Sequence, residues 1–192
     1  MRREGPFEVL RDPKLKALFN AGLLQLVDTL PYLVNTATID KREHLARYSI
    51  WRYDPYHYCL CCIVERYVLW MRRHGYTGDV AIEPRNKGSD KKIKESFRRI
   101  YDWGTDNISP AIMQAHLSSH DIKFFPKRSN VAAMELCDLI AHPSYRSMKF
   151  ERDAVTPPND FGTAIAGILI GKKYSRDPKT MNIASRGRKW LP

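Results

Sequence analysis

The spacing of apolar residues near the start of the chain predicts a helix followed by a strand. The segment PKLKALFNAGLLQLVDTL has helical spacing, and Pro31 ends it. Its apolar face comprises Leu15, Leu18, Phe19, Gly22, Leu23, Leu26 and Val27. The next segment, YLVNTATID, is β-branched and alternates toward Asp40, which is typical of a strand.

A long helix is predicted from Asp54-Pro55 to about Arg73. Aspartate is a favoured N-cap residue and proline fits the first helical turn. The helix should stop before Gly75. Residues 42–53, which are polar and aromatic, predict a loop or a short helix.

The second half of the chain repeats the alternation of strands and helices. GDVAIEP predicts a strand ending at Glu83, and IKFFP predicts another that Pro126 closes. Further helices are expected in three places: KKIKESFRRIYDW, capped by Ser89 or Asp90 and ended by Gly104; residues 110–119; and the segment with Asp138, capped by Asn130. FGTAIAGILIG predicts either a helix or a strand before a basic tail. The pattern indicates one α/β layered domain over residues 1–192.

The charge balance favours a polyanionic partner. The net charge is +11 and the isoelectric point is about 9.6, with basic clusters at MRR, RNKGSDKKIKESFRR, KFFPKR and SRGRKW. Nucleic acid is the commonest partner of such a surface, although a merely solvated basic surface is an equal alternative. No apolar run approaches the roughly 20 residues of a membrane-spanning helix. The N-terminus lacks the apolar core of a signal peptide, so we predict a cytoplasmic protein without a membrane partner.

The cysteine pattern does not predict a zinc site. HYCLCC contains a C-x-x-C spacing, but only Cys137 follows it, and a closed site needs a second ligand pair. The surrounding segment resembles a buried helix, in which free cysteine behaves as a small hydrophobe. We assign its aromatic residues to helix packing in the core; these are Tyr53, Tyr56, Tyr58, Tyr67 and Trp70.

Glu83 and Asp138 are the candidate metal ligands because each closes or interrupts an apolar element. A buried carboxylate such as the one expected at Asp138 needs a partner, a proton or a cation. Glu135, Asp138 and His142 share one helix face, and Asp40 closes its strand as Glu83 does. A pair of carboxylates favours Mg²⁺ or Mn²⁺. Alternatively, Glu83 is a surface residue and Asp138 pairs with Arg146 or with a lysine of FPKR.

Several stretches of the chain resemble the domain-of-unknown-function 3800 family, whose members are thought to have an RNase H-like fold. The matching stretches are RREGPFEVLRDPKLKALF, TATIDK, PYHYCLCCIVERY, GDVAIEPRNKGSD, FPKRSNVAAMELCDLIAHP and RGRKWLP. The most specific is FPKRSNVAAMELCDLIAHP, in which Glu135 stands where the family usually has glutamine and Cys137 where it usually has alanine. The resemblance implies an α/β fold with an RNase H-like mixed sheet flanked by helices.

The resemblance also implies a site. Glu83 and Asp138 would be catalytic ligands of Mg²⁺ or Mn²⁺, and Arg85, Asp90, Lys127 and Asn130 match the family pattern as supporting or phosphate-facing groups. The strand-end and helix-face patterns above add Asp40, Glu135 and His142 as neighbours of the site. The basic clusters add Lys87, Lys91 and Arg128 as contacts to nucleic acid. We therefore expect a divalent-metal-dependent nuclease or nucleic-acid-processing protein. The alternative is an inactive nucleic-acid-binding or protein-interaction module, linked to a mobile element or a defence system.

One feature of the family pattern is missing from this sequence. Family members usually begin with a strand that carries an aspartate-glutamate-serine motif and supplies the first acid of the site. Its absence predicts an RNase H-like sheet that lacks its first strand and exposes an edge. A homodimer or another partner would cover that edge.

Overall fold

Helices dominate the residues that the computed structural model describes, which are 5–48, 54–184 and 186–192. The α-helices are α1 Pro13–Thr29, α2 Lys41–Arg47, α3 Pro55–His74, α4 Lys87–Trp103, α5 Pro110–His116, α6 Ala132–Arg152 and α7 Phe161–Ile168. Two 3₁₀ segments, Gly5–Arg11 and Lys127–Ser129, and a π-helix, Leu169–Lys173, complete them. FGTAIAGILIG is therefore helical. None of the described helices is long and apolar enough to cross a membrane.

The strands are short and pair in parallel. They are β1 Thr36–Ile39, β2 Ala81–Ile82, β3 Lys123–Phe124 and β4 Arg188–Leu191. β1 pairs with β4, and β2 pairs with β3, so the basic tail supplies a strand that sequence spacing did not predict. The mixed α/β class is confirmed. Among the described residues, the expected single mixed sheet is replaced by two separate two-stranded parallel sheets.

The helix boundaries test the predicted caps. The Asp54 carboxylate accepts hydrogen bonds from the backbone of Tyr56 and His57 and begins α3, as predicted. Gly75 and Gly104 end α3 and α4 with φ angles of 70° and 75°, a region that favours glycine.

Two other predicted caps are wrong. The α4 cap is Asn86, whose side chain accepts a hydrogen bond from the Ser89 backbone at 2.9 Å. Helix α4 therefore begins at Lys87, before the predicted Ser89 or Asp90 cap. The residue before α6 is Val131 rather than Asn130, because Asn130 has a φ of 46° and ends the preceding 3₁₀ turn. An N-cap residue instead needs extended backbone.

The described residues form two hydrophobic clusters. The first lies among α3, α4, α5 and the β2–β3 sheet and includes Val68, Phe97, Ile100 and Met113. The second joins α1, α6 and α7 around Val27, Val34, Ile140, Ile165 and Leu169. Both α3 and α6 contact β1, so this strand lies where the two clusters meet.

The apolar face predicted for α1 is only partly covered. Val27 is fully buried, whereas Leu18 is 72% exposed and Leu15 and Leu26 are about half exposed. Helical periodicity therefore identified the helix correctly. It did not show how much of the face other elements cover.

Candidate functional site

The parallel pairing of β2 and β3 brings Glu83 and Lys127 to the same edge of their sheet. Ile82 pairs with Phe124, so the residues that follow the two strands leave the sheet side by side. Glu83 is half-buried directly after β2, and Lys127 begins the 3₁₀ turn that leads into α6. Functional groups of parallel sheets gather at this carboxyl edge.

Helix α6 returns Asp138 to this edge, where the residue forms an ion pair. Lys127 Nζ lies 3.0 Å from Asp138 Oδ2, and both side chains are more than half exposed. The expectation that Asp138 is a buried carboxylate is therefore wrong. The structure instead shows the predicted alternative, in which a lysine of FPKR, Lys127, pairs with Asp138.

Lys127 lies among three carboxylates that we call the acidic cluster: Glu83, Glu135 and Asp138. Its hydrogen bond to Asp138 is the largest cause of its raised pKa, followed by the charges of Asp138, Glu83 and Glu135. The charges of Glu83 and Asp138 thus both act on Lys127, and a shared metal site stays a prediction. Sequence reasoning did not predict that an ammonium group lies among these carboxylates.

The described residues contain no grouping of three or more His, Cys, Asp or Glu side chains arranged to hold a metal ion. The oxygen ligands that Mg²⁺ and Mn²⁺ prefer are present in the acidic cluster, but Asp138 is bound to the Lys127 ammonium. His142, an exposed residue of α6, contributes no ligand grouping either. In this conformation, the Asp138 carboxylate pairs with the Lys127 ammonium rather than lying free to bind a divalent ion.

The two remaining predicted acids serve local structure. Asp40 caps α2: its Oδ1 accepts hydrogen bonds from the backbone N–H groups of Arg42 at 2.9 Å and Glu43 at 3.2 Å. These hydrogen bonds lower the pKa of Asp40, and the bond from Glu43 is the largest cause. Asp90 accepts a hydrogen bond from the Arg85 backbone at 2.9 Å and closes the loop before α4.

Sequence reasoning missed a cationic and aromatic group beside this edge. Tyr56 was assigned to the core, but it is 51% exposed. The Lys41 ammonium lies 5.3 Å from the centroid of its ring, and the Arg85 guanidinium carbon lies 6.0 Å from it. The sequence signal for this exposure was the position of Tyr56 in the first turn of α3, just after the N-cap residue.

The other predicted nucleic-acid contacts are solvent-exposed. Lys87 and Lys91 lie in the first turns of α4, and Arg128 lies in the 3₁₀ turn after β3. Lys91 has a weak pairing with Glu95 at 3.9 Å. Within the described ranges, no carboxylate lies in ion-pair distance of Lys87 or Arg128. Asn130 is also exposed, and its backbone N–H donates to the Lys127 carbonyl at 3.1 Å.

The cysteines of α3 are protonated at neutral pH. Burial raises the pKa of Cys59 to about 11 and that of Cys61 to about 12. The Cys61 sulfur lies 3.4 Å from Nε2 of His57, and burial lowers the pKa of this histidine. A neutral thiol beside a neutral imidazole is a poor nucleophile and a poor metal ligand.

Comparison with known proteins places no further constraint on this site. No protein-family model, no curated protein and no solved structure matches the chain. The resemblance to the domain-of-unknown-function 3800 family therefore stays a prediction, and the functional argument rests on the geometry described above.

Proposed function

We propose that this protein binds nucleic acid at the surface formed by Lys41, Tyr56, Arg85, Lys87 and Lys91. The observation that carries the proposal is the exposed Tyr56 ring with two cationic groups beside it. Single-stranded nucleic acids bind where cationic side chains meet the phosphates and aromatic rings stack on the bases.

The charge of the surrounding residues supports the same partner. Lys87 and Lys91 are exposed in the first turns of α4, which begins two residues after Arg85, and Arg128 is exposed in the turn after β3. Some basic residues elsewhere are held in ion pairs: Arg98 pairs with Asp121 at 2.7 Å, and Lys123 pairs with Asp79. The net charge of +11 favours a polyanionic partner, and the cationic groups near Tyr56 can contact its phosphates.

Removing two of these lysines should weaken nucleic-acid binding. We expect Lys87→Ala/Lys91→Ala to reduce affinity for labelled single-stranded RNA and DNA. The slope of log affinity against log salt concentration should become shallower by roughly 1–2, because binding releases fewer counterions when two phosphate contacts are lost. Fluorescence anisotropy across a salt series measures both quantities, and duplex probes show which form is preferred.

The matched control is Lys14→Ala/Lys16→Ala, which removes the same charge from exposed positions of α1. The control should keep more affinity and a steeper salt slope than the α4 variant. Equal losses of affinity in both variants would show that binding depends on net charge alone and not on this surface. No affinity for nucleic acid at low salt would reject the proposal and favour an acidic protein partner.

Metal-dependent phosphodiester cleavage is a second candidate function. It is favoured by the convergence of Glu83, Glu135 and Asp138 on Lys127. In this proposal the fold is a variant of the RNase H-like fold, of which the structure shares the mixed α/β class. The site would bind Mg²⁺ or Mn²⁺ in place of the Lys127 ammonium, and such an ion would supply Lewis-acid activation of a phosphoryl oxygen.

Neutralising two members of the acidic cluster tests this second candidate. We expect Glu83→Gln/Asp138→Asn to abolish Mn²⁺-dependent cleavage of labelled RNA or DNA, because both proposed ion ligands lose their charge. Gel electrophoresis of the products measures the loss. Glu8→Gln/Asp153→Asn, which changes two surface ion-pair partners, is the control and should keep full activity. Undiminished cleavage by the Glu83/Asp138 variant, or none by the unmodified protein, would dismiss this candidate.

A further inference from the structure

An open groove of about 500 Å³ lies between α3 and α6. It adjoins the nucleic-acid surface, because the charge of Lys41 acts on Cys59 in the groove wall. Residues 33–39 line it continuously, so β1 and the segment before it form its floor. Cys59 and Ile63 of α3 line one side, and Ala141 and Tyr145 of α6 line the other. The groove is therefore mainly apolar and follows a strand for roughly 20 Å, at about 3.3 Å per residue.

One edge of β1 is paired with the C-terminal strand. The Thr36 backbone N–H donates to the Gly187 carbonyl at 2.8 Å, and the Asp40 N–H donates to the Leu191 carbonyl at 3.2 Å. Successive residues of a strand direct their backbone groups to opposite edges. The even-numbered residues of this segment therefore serve the β1–β4 ladder.

The other edge of β1 is open. By the same alternation, the backbone N–H and C=O groups of Asn35, Ala37 and Ile39 point away from β4, into the groove. Within the described part of the chain, no strand pairs with this edge. The side-chain Oδ1 of Asn35 is also buried and accepts no hydrogen bond from the described residues. Buried polar groups ordinarily have hydrogen-bond partners, so the unpartnered Asn35 Oδ1 marks a place where this edge can accept one more hydrogen bond.

Both faces of an added strand would be covered. Thr36 Oγ1 lies 2.6 Å from Ser144 Oγ, and the Thr38 hydroxyl donates to the Met148 sulfur at 3.5 Å, so the even side chains of β1 face α6. The odd side chains point to the opposite face, where α3 contacts the strand. Strands covered on both faces are runs of apolar, β-branched residues.

We propose that this groove is a docking site for an extended, uncharged, β-branched segment of another polypeptide, which adds to the open edge of β1 as a new strand. Backbone hydrogen bonds to Asn35, Ala37 and Ile39 would hold the segment, and the apolar walls would select its side chains. The residues that line the groove are not those of the neighbouring nucleic-acid surface, so this proposal does not rest on the proposed function.

A capped, fluorescein-labelled peptide of alternating valine and threonine, about seven residues long, is a suitable probe. We expect saturable binding by fluorescence anisotropy. Ala141→Trp fills the groove and should weaken binding at least tenfold. Ala133→Trp, at an exposed position of the same helix outside the groove, is the matched control and should bind normally. A peptide with proline at its centre should not bind, because proline lacks a backbone donor and disrupts strand pairing.

Alkylation of Cys137 gives a second readout that needs no variant. Cys137 is exposed and lines the groove, so a bound strand should slow its reaction with iodoacetamide at alkaline pH, as measured by mass spectrometry. No saturable binding, equal binding by the Ala141 and Ala133 variants, or no protection of Cys137 would overturn the proposal. Concentration-dependent protection of Cys137 without peptide would also overturn it, because a second copy of the chain would then be the occupant.

Discussion

Replacement of Phe97 by alanine is expected to destabilise the protein by about 3–5 kcal/mol, the typical cost of removing a fully buried phenylalanine side chain. Phe97 is 1% exposed and lies in the cluster that packs α4 against α3 and α5. The cost combines the lost apolar burial with the cavity that neighbours such as Val68 and Met113 cannot fill. The free energy of unfolding, from urea titration, measures it.

Trp103→Ala is the matched control for this prediction. Trp103 lies at the end of the same helix but is 78% exposed, so its removal should change the free energy of unfolding by no more than about 0.5 kcal/mol. Similar losses in the two variants would contradict the assignment of Phe97 to the core. The loss of about 3–5 kcal/mol expected for Phe97→Ala would also lower the fraction of folded protein in any binding assay.

Replacement of Lys127 by alanine is expected to raise Mn²⁺ affinity roughly threefold, the modest change that follows from removing one partner of an exposed ion pair. In the unmodified protein, the ammonium lies 3.0 Å from Asp138 Oδ2 and interacts with Glu83 and Glu135. Its removal leaves the acidic cluster without that counter-charge, and a divalent ion becomes the favoured replacement. Isothermal titration calorimetry measures the affinity.

Lys149→Ala provides the corresponding control for Lys127. Lys149 also belongs to a surface ion pair, with Asp153 at 3.0 Å, but the acidic cluster lies elsewhere. An equal rise in Mn²⁺ affinity in both variants would show that freeing any surface carboxylate from its lysine partner is enough to bind the ion. A response specific to Lys127→Ala would favour the metal-dependent candidate function over nucleic-acid binding alone.

Much of the helical structure was predictable because its signals are local. Apolar spacing predicted α1, and the Asp54 cap and the Gly75 end, which were both correct, predicted α3. The predictions failed where backbone conformation depends on more distant contacts. Asn130 is a good N-cap by residue type, but the turn after β3 holds it at a φ of 46°.

The candidate site was predictable only in part. Glu83 and Asp138 were chosen because each adjoins an apolar segment, and the structure places both near Lys127. Residue type could not decide between a cation ligand and an ion-pair partner for Asp138. The choice depends on where Lys127 lies, and the parallel register of β2 and β3 determines that position.

By itself, the sequence determined the alternation of helices and strands, the basic character and the residues available for the acidic cluster. These follow from local spacing and from composition, which need no knowledge of distant contacts. Only the tertiary structure decided that the C-terminal tail pairs with β1, that Tyr56 lies beside two cations, and that the far edge of β1 is open. Strand pairing joins residues far apart in the chain, so a short strand carries little local signal of its partner.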